Sequence, residues 1–102
     1  AVLIRALEPL EVIEQMGLNR YGKKILTDKE ITNLTNGPAK LTQAFNIKKE
    51  DNGKDLAGDE IYILDAPGIE KKKIAASKRI GIKKSVDLLL RFYIKDNPFV
   101  SK

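Results

Sequence analysis

Apolar positions follow two different periods along this chain. In residues 2–7, Val2-Leu3-Ile4-Arg5-Ala6-Leu7, side chains alternate with period two, so Leu3, Arg5 and Leu7 share one face and Val2, Ile4 and Ala6 the other. That pattern predicts a strand covered on both faces, with the Arg5 guanidinium carried into a largely apolar layer. A buried charge of this kind has to meet a carboxylate, a carbonyl or a phosphate. We expect that companion to come from chain outside the sequence, and the segment to belong to a larger fold. After Pro9, which suits an opening helical turn, Leu10, Val12, Ile13 and Met16 make a helical stripe stopped by Gly17 or Gly22.

Thr27-Asp28-Lys29-Glu30 has capping-box spacing, followed by a short helix carrying Ile31 and Leu34. Asn36-Gly37-Pro38 ends that helix and starts another, with Leu41, Ala44 and Phe45 on its apolar side. Asn52-Gly53 is a turn signal, and Glu60-Ile61-Tyr62-Ile63-Leu64 reads as a strand stopped by Asp65-Ala66-Pro67-Gly68. Residues 70–73 form a charged connector, and periodicity leaves 74–77 open between strand and helix. Arg79-Ile80-Gly81-Ile82 is strand-like, 83–87 a loop, and Arg91-Phe92-Tyr93-Ile94 a strand before the Asn97-Pro98 turn. Short helices in one half and short strands in the other indicate an α+β fold with an antiparallel sheet.

With 102 residues, 42% of them hydrophobic and 32% charged, the chain suits one globular domain or most of one and is too apolar for disorder. No apolar run reaches the roughly 20 residues needed to span a bilayer, so no membrane role is expected. There is no cysteine, which suits an intracellular protein. There is no histidine, which removes imidazole bases and most transition-metal sites. Carboxylates, Lys, Tyr and backbone groups are left for chemistry, and neither metal nor cofactor is expected. The net charge of +5 favours polyanions or else reflects ordinary solvated lysine faces. Only Arg5, Arg20, Arg79 and Arg91 are arginines, and these are the candidates for fixed, directional contacts.

Four blocks carry a more specific signal. They are Val2-Leu-Ile-Arg-Ala-Leu-Glu-Pro9, Asn36-Gly-Pro-Ala-Lys-Leu-Thr-Gln-Ala-Phe45, Arg79-Ile-Gly-Ile82, and Arg91-Phe-Tyr-Ile-Lys-Asp-Asn-Pro-Phe-Val-Ser101. In order and spacing they resemble the C-terminal half of the alkyladenine (3-methyladenine) DNA glycosylase family, over residues 2–101. The resemblance implies a base-excision repair enzyme that flips alkylated purines from double-stranded DNA and hydrolyses the N-glycosidic bond, leaving an abasic site. The implied fold is α+β, a curved antiparallel sheet rolled like an open barrel with short helices. This chain would be the C-terminal portion of that single larger domain, working wherever the cell keeps its DNA.

By the same resemblance Arg5 helps fix the nucleophilic water and the sugar-phosphate of the flipped nucleotide. On its residues alone it could equally be an edge arginine reaching solvent. Ile80 falls where the family holds the attacking water with a main-chain carbonyl, with Gly81 marking close backbone approach or packing between two isoleucines. Lys40 and Gly37 match a Gly-Pro-x-Lys block whose helix start seats a DNA phosphate; the plain alternative is a Pro-started helix with an exposed lysine. Lys71, Lys72, Lys73, Lys78, Arg79, Lys83 and Lys84 make the second half basic, without specific contacts assigned. Tyr62, Phe92, Tyr93 and Phe99 are read as core rather than as stacking platforms, and Glu8, Glu11 and Glu14 as structural. The family's catalytic glutamate, pocket aromatics and tyrosine hairpin lie in an N-terminal half, in cis or on another chain, and are absent from this sequence. Alone, this chain is expected not to turn over. The competing readings are a non-catalytic basic nucleic-acid-binding module of the same fold and, more weakly, a purely structural domain.

Overall fold

Three short helices precede a two-stranded antiparallel sheet in the computed structural model, which describes residues 1–81 and 88–101. Helix α1 (Ile13–Tyr21) is closed by Gly22 in the left-handed region, φ 71°, whose N–H reaches the Leu18 carbonyl at 3.1 Å. Gly22 is therefore the stop. Gly17 lies inside the helix, buried where a Cβ would come within 2.7 Å of the Lys23 carbonyl oxygen. The helix begins later than Pro9 suggested, because Val12 turns into the left-handed region at φ 51° and separates the two. Pro9 is buried outside the helix.

Helix α2 (Asp28–Thr32) carries the full capping box. Glu30 N–H donates to Thr27 Oγ1 at 3.2 Å and Thr27 N–H to Glu30 Oε1 at 3.0 Å. Leu34, placed by pattern on this helix, lies just beyond it and is fully buried. Helix α3 (Pro38–Ala44) starts on Pro38, as the Asn36-Gly37-Pro38 signal predicts. Helix α1 packs on α3, and Met16, Leu34 and Ala44 form the core, with Ile13, Tyr21 and Leu26 against it. Phe45, expected on that apolar side, is exposed at the helix end.

Residues 74–77 resolve as strand β1 (Ile74–Ser77), paired with β2 (Arg91–Ile94) in the register Ile74↔Ile94, Ala75↔Tyr93, Ala76↔Phe92 and Ser77↔Arg91. Ala75, Ser77, Arg91 and Tyr93 occupy the half-buried face, and Ile74, Ala76, Phe92 and Ile94 the exposed one. The α+β expectation holds in this coarse form.

Three predicted strands do not form among the described residues. Residues 2–7 form no strand, and Val2 is 93% and Leu3 69% exposed. Residues 60–64 make a single bridge, Ala57↔Tyr62, with Ile63 N–H on the Leu56 carbonyl at 2.9 Å. Arg79-Ile80-Gly81 is a turn, with Gly81 at φ 69°. Alternation marks a segment able to pair, but a strand exists only where a second backbone accepts its hydrogen bonds. Ile82 and the predicted 83–87 loop, with Lys83 and Lys84, lie outside the described residues. No described helix is long and apolar enough to cross a membrane.

Lys23 Nζ lies 2.8 Å from Glu30 Oε2. The Glu30 carboxyl is held below the ordinary carboxylate range, first by this hydrogen bond with Lys23 and then by the Thr27 N–H. A native value below the unfolded one, about 4.3, stabilises the fold above that pH and ceases to as pH falls through the lowered value. Urea unfolding at pH 7 and at about pH 3 should therefore show Glu30→Gln less stable than the parent at the higher pH, with the gap closing at the lower.

Candidate functional site

Two hydrogen bonds on one residue pair fix the path of the opening segment. Leu7 N–H donates to the Thr35 carbonyl at 3.0 Å, and Thr35 Oγ1 donates to the Leu7 carbonyl at 2.5 Å. Thr35 is fully buried at the end of the α2 region, so the opening segment is anchored on the helical core. At the other end of the chain, Asp96 adopts φ 58° and the Phe99 N–H donates to Asn97 Oδ1 at 2.8 Å. That turn brings the tail back beside β2, as the Asn97-Pro98 signal implies. Between the opening segment, β2 and the tail lies a cleft of about 490 Å³, whose lining includes Arg5, Leu7, Glu8, Arg91, Tyr93 and Ser101.

The polar centre of this cleft is Ser101, only 4% exposed. Arg5 Nε–H donates to Ser101 Oγ at 2.7 Å. Arg91 donates from Nη2 to the Ser101 carbonyl and from Nη1 to Ser77 Oγ at 3.1 Å. Its guanidinium also lies over the Tyr93 ring, 4.4 Å from the centroid. Arg91 Nε is buried with no hydrogen-bond partner. Among the described residues neither arginine has a carboxylate within 4.0 Å. Two cations thus share one neutral residue, in a cleft that Glu8 also lines.

The sequence-derived view of Arg5 needs two corrections. The side chain is half-buried rather than enclosed between two covered faces, and no described strand flanks the segment. Among the described residues its hydrogen-bond companion is the Ser101 hydroxyl rather than the expected carboxylate, carbonyl or phosphate.

Lys40 and Gly37 come together at the start of α3. Gly37 is the N-cap at φ −169°, an extended conformation open to any residue, and a Cβ there would sit 3.5 Å from Lys40 Cδ in ordinary contact. Lys40 Nζ donates to Asn36 Oδ1 at 2.9 Å. Asn36 Nδ2 donates in turn to Asn33 Oδ1 at 3.0 Å, and Asn33 Nδ2 to the Lys29 carbonyl at 2.9 Å. A chain of neutral amides therefore orients the ammonium without cancelling its charge.

Ile80 does not join the cleft. It is 41% exposed in the turn after β1, and a Cβ on Gly81 would meet nothing within 4 Å. Gly81 lies in the left-handed region at φ 69°, a conformation that favours glycine. Tyr62 and Phe92, read as core, are 53% and 65% exposed, whereas Tyr93 and Phe99 are half-buried. Glu8 borders the cleft, while Glu11 and Glu14 are exposed around α1. The described residues hold no group of three or more acidic side chains placed for a metal ion.

Three contributors went unassigned in the sequence. Arg91 and Ser101 sit inside a recognised block, but nothing in their spacing signals that they meet. Arg20 donates from Nη1 to the Asn33 and Leu34 carbonyls at 2.8 and 2.9 Å, and from Nε to Gln43 Oε1 at 2.9 Å. It thereby ties α1 to α3 and to the loop that presents Asn36. The scarcity of arginine in a lysine-rich chain was the available signal.

Residues 1–98 match the family model described as methylpurine-DNA glycosylase. A curated relative from Clostridium novyi (strain NT), named "Putative 3-methyladenine DNA glycosylase", is 53% identical over 107 residues, covering 100% of this chain and 52% of the relative. Relatives of the same name from Alkaliphilus oremlandii (strain OhILAs) and Prosthecochloris aestuarii (strain DSM 271 / SK 413) are each 51% identical. They cover 100% of this chain and 52% and 46% of their own lengths. The chain thus spans about half the length of the curated relatives it matches.

Replacing Thr35 by Val keeps the shape but leaves the Leu7 carbonyl without its hydroxyl donor. We expect a loss of about 1 kcal/mol in urea unfolding and faster proteolysis within residues 1–8. Unchanged cleavage there would show that this bond does not anchor the segment.

Proposed function

The chain belongs to the methylpurine-DNA glycosylase family, and we propose that it is the C-terminal portion of a DNA glycosylase domain. The whole enzyme flips alkylated purines such as 3-methyladenine out of duplex DNA and hydrolyses the N-glycosidic bond, as part of base-excision repair inside the cell. Support for the domain reading comes from the apolar surface left open: Val2, Leu3 and Ile4 on the opening segment, and Ile74, Phe92 and Ile94 on the outer face of the sheet. Contiguous exposed apolar area of this kind favours a covering partner. On this reading the cover is the N-terminal half, in cis or as a second chain, extending the β1–β2 pair into a curved, open-barrel-like sheet.

Water attacks the anomeric carbon as the bond to the base nitrogen breaks and the bonding electrons leave with the base. The transition state is cationic at the sugar, as in sugar hydrolysis generally. Water gives its proton to a carboxylate of the N-terminal half. Arg5 orients that water and holds the sugar-phosphate; the family position of the Ile80 carbonyl implies a hydrogen bond from the same water, although Ile80 lies outside the cleft that Arg5 borders. Lys40, with the Gly37 start of α3, engages a backbone phosphate; extrusion of the base costs a few kcal/mol, which such contacts offset. The observation that carries the reading is Arg5: within its matching block it borders a cleft beside a second arginine, with no carboxylate neutralising either among the described residues. A non-catalytic nucleic-acid-binding module is the other reading, favoured by the net charge of +5.

The full-length protein should release 3-methyladenine from methylated duplex DNA, and the 102-residue chain alone should not. In the full-length protein Arg5→Ala should slow single-turnover release by about 10²-fold. DNA binding without any release of base by the full-length protein would select the module instead. Lys40→Ala should weaken duplex binding about equally across sequences and reduce the slope of log affinity against log salt by about 1. An unchanged slope removes Lys40 from the phosphate contacts.

A further inference from the structure

Every oxygen of Ser101 that the structure describes in a hydrogen bond is used by an arginine. The hydroxyl takes Nε–H of Arg5 at 2.7 Å, and the carbonyl takes Nη2–H of Arg91. Arg91 is itself fixed three ways, by Ser101, by Ser77 Oγ at 3.1 Å and by the Tyr93 ring at 4.4 Å. Ser77 and Arg91 are also paired across the β1–β2 ladder, so the base of this arrangement is the sheet itself. Arg91 keeps a buried Nε without a hydrogen-bond partner, a cost usually tolerated where geometry is held for another purpose.

The Nε–H of an arginine points in one direction in the plane of its guanidinium. A hydrogen bond there limits the group to rotation about a single axis and leaves the two terminal nitrogens for other partners. Hydrogen bonds from Arg5 Nη1 and Nη2 are not found among the described residues, and the side chain borders the cleft. The choice of serine matters electrostatically. A carboxylate at position 101 would orient Arg5 as well but would cancel its charge toward an incoming anion; a neutral hydroxyl orients it and leaves the charge in place.

We propose that Ser101 is a positioning residue for Arg5: clamped by Arg91 through its carbonyl, it takes the Arg5 Nε–H and leaves the terminal nitrogens of that guanidinium directed to the substrate side of the cleft. The role of Arg5 toward water and sugar-phosphate rests on the glycosylase reading; the Ser101–Arg5 coupling rests on geometry. Preorganising a donor before the reaction is what allows it to favour the transition state rather than merely bind substrate.

The test uses the full-length protein and two independent readouts. In nitrogen-15 NMR, Ser101→Ala should speed exchange of the Arg5 Nε–H by about tenfold or more, since that proton loses its acceptor. Arg91→Lys, which keeps a charge but loses the fork that holds the Ser101 carbonyl, should do so too. In single-turnover release of 3-methyladenine, Ser101→Ala should slow the step by about tenfold with duplex affinity changed less than about twofold. Ser101→Thr should recover most of that loss. Adding Ser101→Ala to Arg5→Ala should slow release less than about twofold further, because the group it positions is already gone. Unchanged Nε–H exchange in Ser101→Ala overturns the proposal, as does equal slowing in both backgrounds, which would mark a general structural effect. If the parent protein releases no base, the glycosylase reading fails by itself, and the exchange measurement still decides whether Ser101 sets Arg5.

Discussion

The peptide of Leu7 is gripped on both sides by Thr35, N–H to carbonyl and carbonyl to hydroxyl, and the position of the opening segment depends on that grip. The segment is apolar, and no described strand supplies it with a ladder. Without a polar anchor its exposed side chains would have no reason to prefer one path over another. Thr35 can serve because it is fully buried next to Leu34, in the small core shared by α1 and α3. The helical core thus sets where Arg5 stands, two residues upstream, before the sheet or the tail contributes anything.

Two arginines perform comparable structural work in the two halves. Arg20 gathers the Asn33 and Leu34 carbonyls and Gln43 around the α1–α3 contact, and its guanidinium lies 4.7 Å from the Tyr21 ring centroid. Arg91 gathers Ser77 and Ser101 and lies over Tyr93. Both use the planar fork to satisfy oxygens from different segments, and both rest on an adjacent aromatic face, a combination an ammonium group does not offer. Lys40 is held differently, by the Asn33–Asn36 amides at the start of α3.

The sheet half is built differently from the helical half. Its two strands pair through only four residues each, and one face, with Ile74, Phe92 and Ile94, stays open. A two-stranded ribbon is marginal by itself, and here the Arg91 contacts, rather than an apolar layer, join it to the tail. The helical half has a core of its own, whereas the outer face of the sheet is exposed.

What the sequence determined by itself was local. The Thr27–Glu30 capping box, the Pro38 start of α3 and the Asn97-Pro98 turn were legible because each depends on backbone groups within a few residues of the signal, while the stop of α1 was legible only as Gly17 or Gly22. The four blocks were legible as a family pattern, which the match over residues 1–98 bears out. Strand formation at 2–7 and 60–64 was misread because alternation reports side-chain faces and is silent about whether a pairing backbone exists. Tertiary structure alone decided that Arg5 meets Ser101, 96 positions away, and that Arg91 meets both Ser77 and Ser101. No period or propensity encodes such a meeting, since it is fixed by where the Leu7 anchor and the β1–β2 register deliver the chain in space.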